Sequence, residues 1–421
     1  ARRRGGRGAL MRPAEPPRPE LVAPAGTPEK LRVALHFGAD AVYLGLERFS
    51  LRSMAGNFDW DELRWALDYA HERGRRVLVA ANIQPFDEEL PDMEPFFRRL
   101  EGLAPDAVIV ADPGVLRVAR RVAPGLRLHL STQASVTNAE AARFWFEQGI
   151  RRIVLARELS LEQLAALDAP ALPGELETFI HGAVCVGFSG RCFLSLYWAR
   201  RDPRHGNCAQ ACRWPYVALA EARYPERVHR VAEDERGTYF FDARDLCALP
   251  VLDRLVASGV QALKIEGRTR GVGYLAITVD VYRRALDLLA AGDVAGFRAR
   301  LPALQAELDL VSPRGFSTHF LTGEQQDPGT YLPGGRPRGG HVSLGTVLAV
   351  GADHLELRLV NALSAGDAVA LVDRGGVRQR IEAADLAGLD GAPLPRGRAG
   401  EVVRLLGRFQ VGPGAVALLP G

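Results

Sequence analysis

Lysine is almost missing from this chain: of its 53 basic residues only Lys30 and Lys264 are lysine. Arginine stands at nearly every position where the two cations are interchangeable. A retained lysine is therefore either a chance survivor or a place that needs a compact, tunable ammonium instead of a planar guanidinium. Lys264 fits the second description, since it lies inside the apolar run Ala262-Leu263-Lys264-Ile265. Long hydrophobic runs are missing too. None approaches the roughly 18 residues that a membrane span needs, and no secretory apolar segment is recognisable. The expectation is a cytoplasmic protein with no membrane partner. Also absent are H-E-x-x-H and G-x-S-x-G, and the 9 histidines are scattered, so no metallopeptidase or serine-hydrolase signature is present. After residue 340 Phe409 is the only aromatic residue, and that region offers no platform on which bases would stack.

What is present is the composition of a globular protein, 47% hydrophobic and 24% charged, in a chain of 421 residues. That length suffices for a large domain and a smaller one. A net charge of +3 is too mild to imply a polyanionic partner by itself. The arginine-rich opening, residues 1–19, reads as a disordered tail.

From Glu20 to about Arg284, short β-branched runs alternate with amphipathic stretches, and Gly, Pro, Asn or Asp mark the turns. The predicted strands are Glu20–Ala25, Ala41–Leu46, Arg76–Ala81, Ala107–Ala111, Arg127–Ser131, Arg152–Ala156, Leu176–Ile180 and Ala262–Glu266. Crossover helices are expected at Thr27–Phe37, Asp59–Arg73, Asn138–Gln148 and Ser160–Leu167. Eight such units predict an α/β fold, a TIM-type (β/α)8 barrel over residues 20–324, with an open doubly wound sheet as the rival. The seventh crossover is anomalous. It holds a cysteine-rich insertion, residues 183–260, which should cap the barrel mouth because a barrel carries its chemistry on the loops after its strands. Asn82, Asp112, Ser131-Thr132-Gln133, Arg157-Glu158, His181, Lys264 and Glu266 end strands and should converge there. Asp293–Leu310 reads as one further helix, and residues 325–340 form a Pro/Gly-rich linker. Period-two alternation over 341–421 predicts a small C-terminal antiparallel β-barrel.

Four of the five cysteines, Cys185, Cys192, Cys208 and Cys212, follow the spacing C-x6-C-x15-C-x3-C. The first gap is too long for a zinc-ribbon knuckle, and four thiolates from an irregular loop suit a 4Fe–4S cluster. Zinc, a redox pair and inert buried thiols are the alternatives; disulfides are disfavoured in a reducing compartment. Around these cysteines Arg191, Arg200, Arg201, Arg204 and Arg213 interleave with Tyr197, Trp198, Trp214 and Tyr216. Guanidiniums that pair with phosphates, beside rings that stack on an extruded base, suit single-stranded RNA, while a solvated loop packed on the barrel is the plain alternative.

The stretch Glu177-Thr-Phe-Ile-His-Gly-Ala-Val-Cys185-Val-Gly-Phe-Ser-Gly190-Arg-Cys192-Phe-Leu-Ser195 resembles the signature of the collagenase-like peptidase U32 family, E-x-F-x-x-G-x-x-C-x4-G-x-C-x-x-S. Further blocks resemble the family over almost the whole chain: Leu21–Gly26, Gly38–Gly45, Ser131–Asn138, Arg157–Ser160, Gly206–Trp214 and Leu263–Arg268. Within it, Arg201-Asp-Pro203, Gly237-Thr-Tyr239, Arg314-Gly-Phe316 and Ser364-Ala-Gly-Asp367 are similar to the branch that hydroxylates tRNA. That resemblance implies oxygen-independent formation of 5-hydroxyuridine at the tRNA wobble position, in the anticodon region, with prephenate as co-substrate and a 4Fe–4S cluster on the cysteines. Other branches imply rRNA cytidine or ubiquinone hydroxylation, or an Fe–S protein that only passes electrons. Cys247 departs from the branch and is the alternative fourth ligand to Cys212.

Hydroxylating a pyrimidine without dioxygen requires a redox cofactor and an oxygen donor, because no side chain supplies either. Prephenate's two carboxylates would call on Lys264, Arg157 and Arg268, and Glu266 or Glu158 would move the proton. His181 would bond a cluster sulfur or the substrate. Gln133, Asn138, Arg213 and Trp214 are further substrate-binding candidates. A U32-type peptidase is the rival from another class; it needs a nucleophile–base pair or a metal-bound water.

Overall fold

The computed structural model describes residues 18–51, 56–185, 187, 192–213, 232–234, 237–239, 244–311, 315–322, 341–383 and 385–420. Most of the expected tail, the linker, and Arg191, Trp214 and Tyr216 lie outside the described residues, as does the side chain of Arg213.

All eight predicted barrel strands form: β1 (Glu20–Pro24), β2 (Ala41–Gly45), β3 (Arg76–Ala80), β4 (Ala107–Val110), β5 (Leu128–Leu130), β6 (Arg152–Val154), β7 (Glu175–Gly182) and β8 (Ala262–Ile265). Neighbours pair in parallel, and β8 bonds both β1 and β7. That last pairing closes the ring and rules out the open sheet. Continuous burial on both faces explains why these strands read as apolar runs instead of alternating ones.

Short polar side chains start the crossover helices. Thr27 accepts from the Lys30 N–H at the head of α1 (Pro28–His36), and Asp59 and Glu62 form a capping box on α2 (Trp60–His71). Helix α3 is Leu90–Leu103; Asp112 caps α4 (Pro113–Val122), Asn138 caps α5 (Ala139–Glu147), and Ser160 with Gln163 boxes α6 (Leu161–Ala166). Each cap satisfies N–H groups that the first helical turn leaves open.

The insertion holds elements that were not foreseen, two of them next to the barrel mouth. Strand Asp245–Cys247 runs antiparallel to the end of β7, opposite His181 and Gly182, and pairs in turn with Phe316–Ser317. Helix α7 (Leu194–Ala199) lies in the cysteine loop.

After α8 (Leu252–Ala257), the 19-residue helix α9 (Val272–Ala290) is buried on most sides, and α10 (Val294–Asp309) packs on it. On the outer side of α9 sits the C-terminal sheet, seven antiparallel strands including Val342–Val350, His354–Leu359, Ala368–Asp373, Gly376–Glu382, Val402–Leu406 and Val416–Leu419. This sheet curls into a half-barrel around Leu344, Leu357, Leu371 and Val403, in agreement with the small antiparallel barrel that the alternation predicts. Ala370, Val372, Val416 and Leu418 turn the other way and join the barrel's own core, so one continuous apolar core spans both parts.

Candidate active site at the barrel mouth

The inner face of a TIM barrel is filled with side chains, and Val22, Ala41, Tyr43, Leu78, Ala107, Ile109 and Ala262 supply its apolar part here. Charged side chains share that face. Lys264, 4% exposed, donates from Nζ to Glu177 Oε1 at 2.7 Å, and its ammonium stands 4.3 Å from the Tyr43 ring centre. Glu177 is fully buried and binds Arg152 through its other oxygen at 3.2 Å. Arg152 continues to Glu20 at 2.5 Å, and Glu20 to Arg76 at 2.7 Å. Burial works against the charge on Glu177, but Lys264 and Arg152 outweigh it and hold the carboxyl below its ordinary range. Lys264, Glu177, Arg152 and Glu20 thus form an ionic line inside the barrel, one end of which is Lys264.

Above Lys264 the strand exits enclose a pocket of about 70 Å³. That is room for several waters or for the acidic end of a small molecule. Its lining includes Asn82, Ser131, Thr132, Gln133, Arg157, Phe179, Lys264, Glu266 and Arg268. Three cations face a single carboxylate, so the pocket favours an anion.

Glu266 Oε2 accepts from the Tyr43 hydroxyl at 3.0 Å, and its backbone carbonyl accepts from Tyr274 at 3.0 Å. Gly182, with φ of +104°, passes so close to that carbonyl that a Cβ would collide with it. Arg268 is buried, donating to Ser50 Oγ at 2.9 Å and Asn57 Oδ1 at 2.7 Å. Its carbonyl accepts from Lys30 Nζ at 2.9 Å. Both lysines of the chain therefore act on one short stretch, the exit of β8. Arg157 donates to the Ala183 carbonyl at 2.9 Å and lies 4.0 Å from the Phe179 ring centre. On the rim, Asn82 and Ser131 donate to Gln133 Oε1 at 3.1 and 2.8 Å.

Other candidates stand elsewhere. Asp112 and Asn138 are occupied as helix caps, and Asn138 is exposed at the head of α5. Glu158 is half-buried outside the pocket lining. His181 turns away from the mouth: its ring is fully buried against Phe316, Tyr274 and Tyr282, with Nδ1 3.3 Å from the Tyr282 hydroxyl. Burial, aided by Arg270, pushes its pKa down to about 3, which leaves a neutral structural imidazole in place of the expected substrate or cluster contact. His181 had been expected at the mouth because it ends a strand, but a bulge in the β7–β8 register beside it changes the side to which its ring points.

The cysteine loop crosses the mouth to the β3 side. Gln84 N–H donates to the Arg204 carbonyl at 3.4 Å, His205 bonds Glu89 at 2.9 Å, and the Phe86 and His205 rings stack. Arg204 is held by both oxygens of Asp202, and Arg201 donates to Asn207 at 2.8 Å, so these two arginines brace the loop. Arg200 is exposed, as are Phe193, Tyr197 and Trp198 on and beside α7.

Cys185 is exposed, and Cys192, Cys208 and Cys212 are half-buried; none of them is in a disulfide. The Gln210 N–H points at Cys208 Sγ, 3.4 Å away. Unbridged thiols with a backbone donor aimed at one sulfur suit a thiolate-held cluster. Among the described residues no three His, Cys, Asp or Glu converge as a metal site, and no ligand geometry follows. Cys247 has the opposite character. It is buried with its sulfur 3.7 Å from the Tyr282 hydroxyl, and burial pushes its thiol up to about 11. Its sulfur is turned to Tyr282 on α9, which argues against Cys247 as a ligand.

Sequence reasoning passed over Glu177 as a site residue. Its signal was a period-two placement, Glu175, Glu177 and Phe179 on the inner face of β7, which puts a carboxylate beside the lysine of β8.

A model of the peptidase family U32 matches residues 26–330. The chain is 34% identical to the tRNA hydroxylation protein P of Haemophilus influenzae, over 74% of this chain and 75% of that protein. It is 38% identical to the tRNA hydroxylation protein P1 of Bacillus subtilis, over 73% and 71%. A 23S rRNA 5-hydroxycytidine synthase of Escherichia coli is 32% identical over 83% of this chain and 52% of that protein.

Proposed function

This chain belongs to the peptidase family U32, and from that premise we propose that it is an RNA-modifying enzyme that hydroxylates a tRNA uridine at C5 without dioxygen. The observation that carries the proposal is the mouth pocket, whose three cations and single carboxylate suit a small organic di-acid better than a peptide. Among the described residues the lining contains no histidine to serve a nucleophile as base, which disfavours a peptidase built on these residues.

In this reading the pocket receives prephenate as oxygen donor. Lys264 and Arg157 pair with its carboxylates, while Arg268, braced by Ser50 and Asn57, keeps the rim in shape. The C5–H of uridine becomes C5–OH; the base loses two electrons, and the donor takes them up as it gives up its oxygen atom. Glu266, tied to the Tyr43 hydroxyl, is the group placed to move the proton. Cys185, Cys192, Cys208 and Cys212 would hold a 4Fe–4S cluster, which when bound would supply electron relay. Tyr197 and Trp198 present rings for an unstacked base, and Arg200 a charge for phosphate.

Protein purified without oxygen, incubated with unmodified tRNA and prephenate, should yield 5-hydroxyuridine by mass spectrometry of digested nucleosides. Lys264→Met should abolish the product while leaving the fold intact. An unchanged nucleoside profile with wild-type protein, or full activity in the mutant, overturns the reading.

A further inference from the structure

We infer that Glu177 is a positioning residue: anchored from below by Arg152, it holds the Lys264 ammonium at the floor of the mouth pocket. Nothing in the reaction touches Glu177, since it is 0% exposed and stands behind Lys264, outside the pocket lining. The inference rests on the functional reading above for its consequence in catalysis, and on geometry alone for the pairing.

Four rotatable bonds let a lysine ammonium wander, and an unfixed cation is a poor partner for a reacting acid. Here the ammonium is confined on three sides. Glu177 on β7 takes it at 2.7 Å, the Tyr43 face on β2 stands 4.3 Å away, and Phe179 on β7 lies 5.9 Å away on the pocket side. Glu266, just past the end of β8, is turned to the Tyr43 hydroxyl.

Glu177 would be a weak anchor if it were free to swing or to protonate. Arg152 on β6 prevents both by binding the second oxygen, and Arg152 is itself fixed by Glu175 and by Glu20 on β1. His129 on β5, the partner of Arg152 across the sheet, is buried and kept neutral by burial and by the cations around it, so it brings no competing charge. One carboxylate on β7, held by Arg152 from β6, therefore fixes the place of the Lys264 ammonium on β8.

The test uses the scarcity of lysine. With lysine labelled at the ε-carbon, the full-length protein shows two side-chain signals, and Lys264→Met identifies which is which. In the wild type the two Hε protons of Lys264 should be inequivalent, as in a locked side chain; in Glu177→Gln that inequivalence should collapse while the Lys30 signal stays put. Hydroxylation by Glu177→Gln should show kcat lower by about a hundredfold, the scale of a 1 Å misplacement, with KM for prephenate changed far less. Glu177→Asp, which keeps the charge, should recover part of kcat. An unmoved Lys264 signal, or unchanged kcat, in Glu177→Gln overturns the inference. If wild-type protein makes no product at all, the functional reading falls, yet the signal of Lys264 still decides the pairing. Should Glu177→Gln fail to fold, Glu177→Leu with Lys264→Met replaces the pair by apolar groups, and the double change should be more stable than Glu177→Leu alone. Additive losses would overturn the pairing.

Discussion

His181 shows how one residue shifts the acid stability of the whole chain. Its imidazole titrates at about 3 in the fold, against an ordinary value near 6.5. Between those two values the unfolded chain binds a proton that the folded chain refuses, so the unfolded state gains as pH falls through the window. Stability should drop by up to about 1.4 kcal/mol per pH unit from this group below pH 6.5, and Glu177, whose carboxyl is also held low, adds to the loss in the same direction at lower pH. Urea unfolding at pH 7 and pH 5 measures it; His181→Phe should flatten the dependence, and an unchanged slope would show that His181 is not buried and neutral. The sequence placed His181 at a strand end and so at the mouth. It could not show the bulge opposite Ile265 that turns the ring outward, because a bulge is a property of two paired strands and not of either alone. Lys264 was legible for the opposite reason, as its singularity is a property of composition.

At the level of elements, the eight strands and the capped helices were readable because each depends on neighbours in sequence: an apolar run, a polar cap, a turn residue. The pairing of Asp245–Cys247 with β7 was not, since it joins residues more than sixty positions apart and leaves no periodic trace in a three-residue strand. That pairing decides the role of the fifth cysteine. Cys247 lies in this strand against Tyr282, whereas Cys192 lies at the start of the loop that crosses the mouth. Protein purified without oxygen should be brown, with about four irons per chain. Cys192→Ala should remove the colour and Cys247→Ala should keep it. Iron lost from both variants alike would bring Cys247 back among the ligands.

Over the whole molecule, α9 is the shared element. The closing strand β8 leads into it, its inner side backs the barrel wall through Tyr274 and Tyr282, and its outer side meets the C-terminal half-barrel. Gly273, in its first turn, packs against Leu418 and donates its N–H to Ser343 Oγ at 3.0 Å, leaving no space for a Cβ. Gly273→Val should therefore destabilise the chain by about 1–3 kcal/mol through overpacking. Calorimetry should show one cooperative transition moved to lower temperature; an unmoved transition would mean that the two parts do not pack as described. The half-barrel was legible as strands but not as a partner of α9, because the residues that make the contact, Val372, Val416 and Leu418, share their strands with residues facing the other way.

The placement of the two lysines gives the protein a built-in gauge of its own opening. A protease that cuts only after lysine has two bonds to attack. One follows Lys30, half-buried in the first turn of α1, and the other follows Lys264, inside a strand bonded on both edges. Cleavage after Lys264 requires the barrel to come apart at its seam, so the rate of that single cut reports seam opening with no probe attached. A complete digest also leaves all five cysteines on one fragment, between the two cuts.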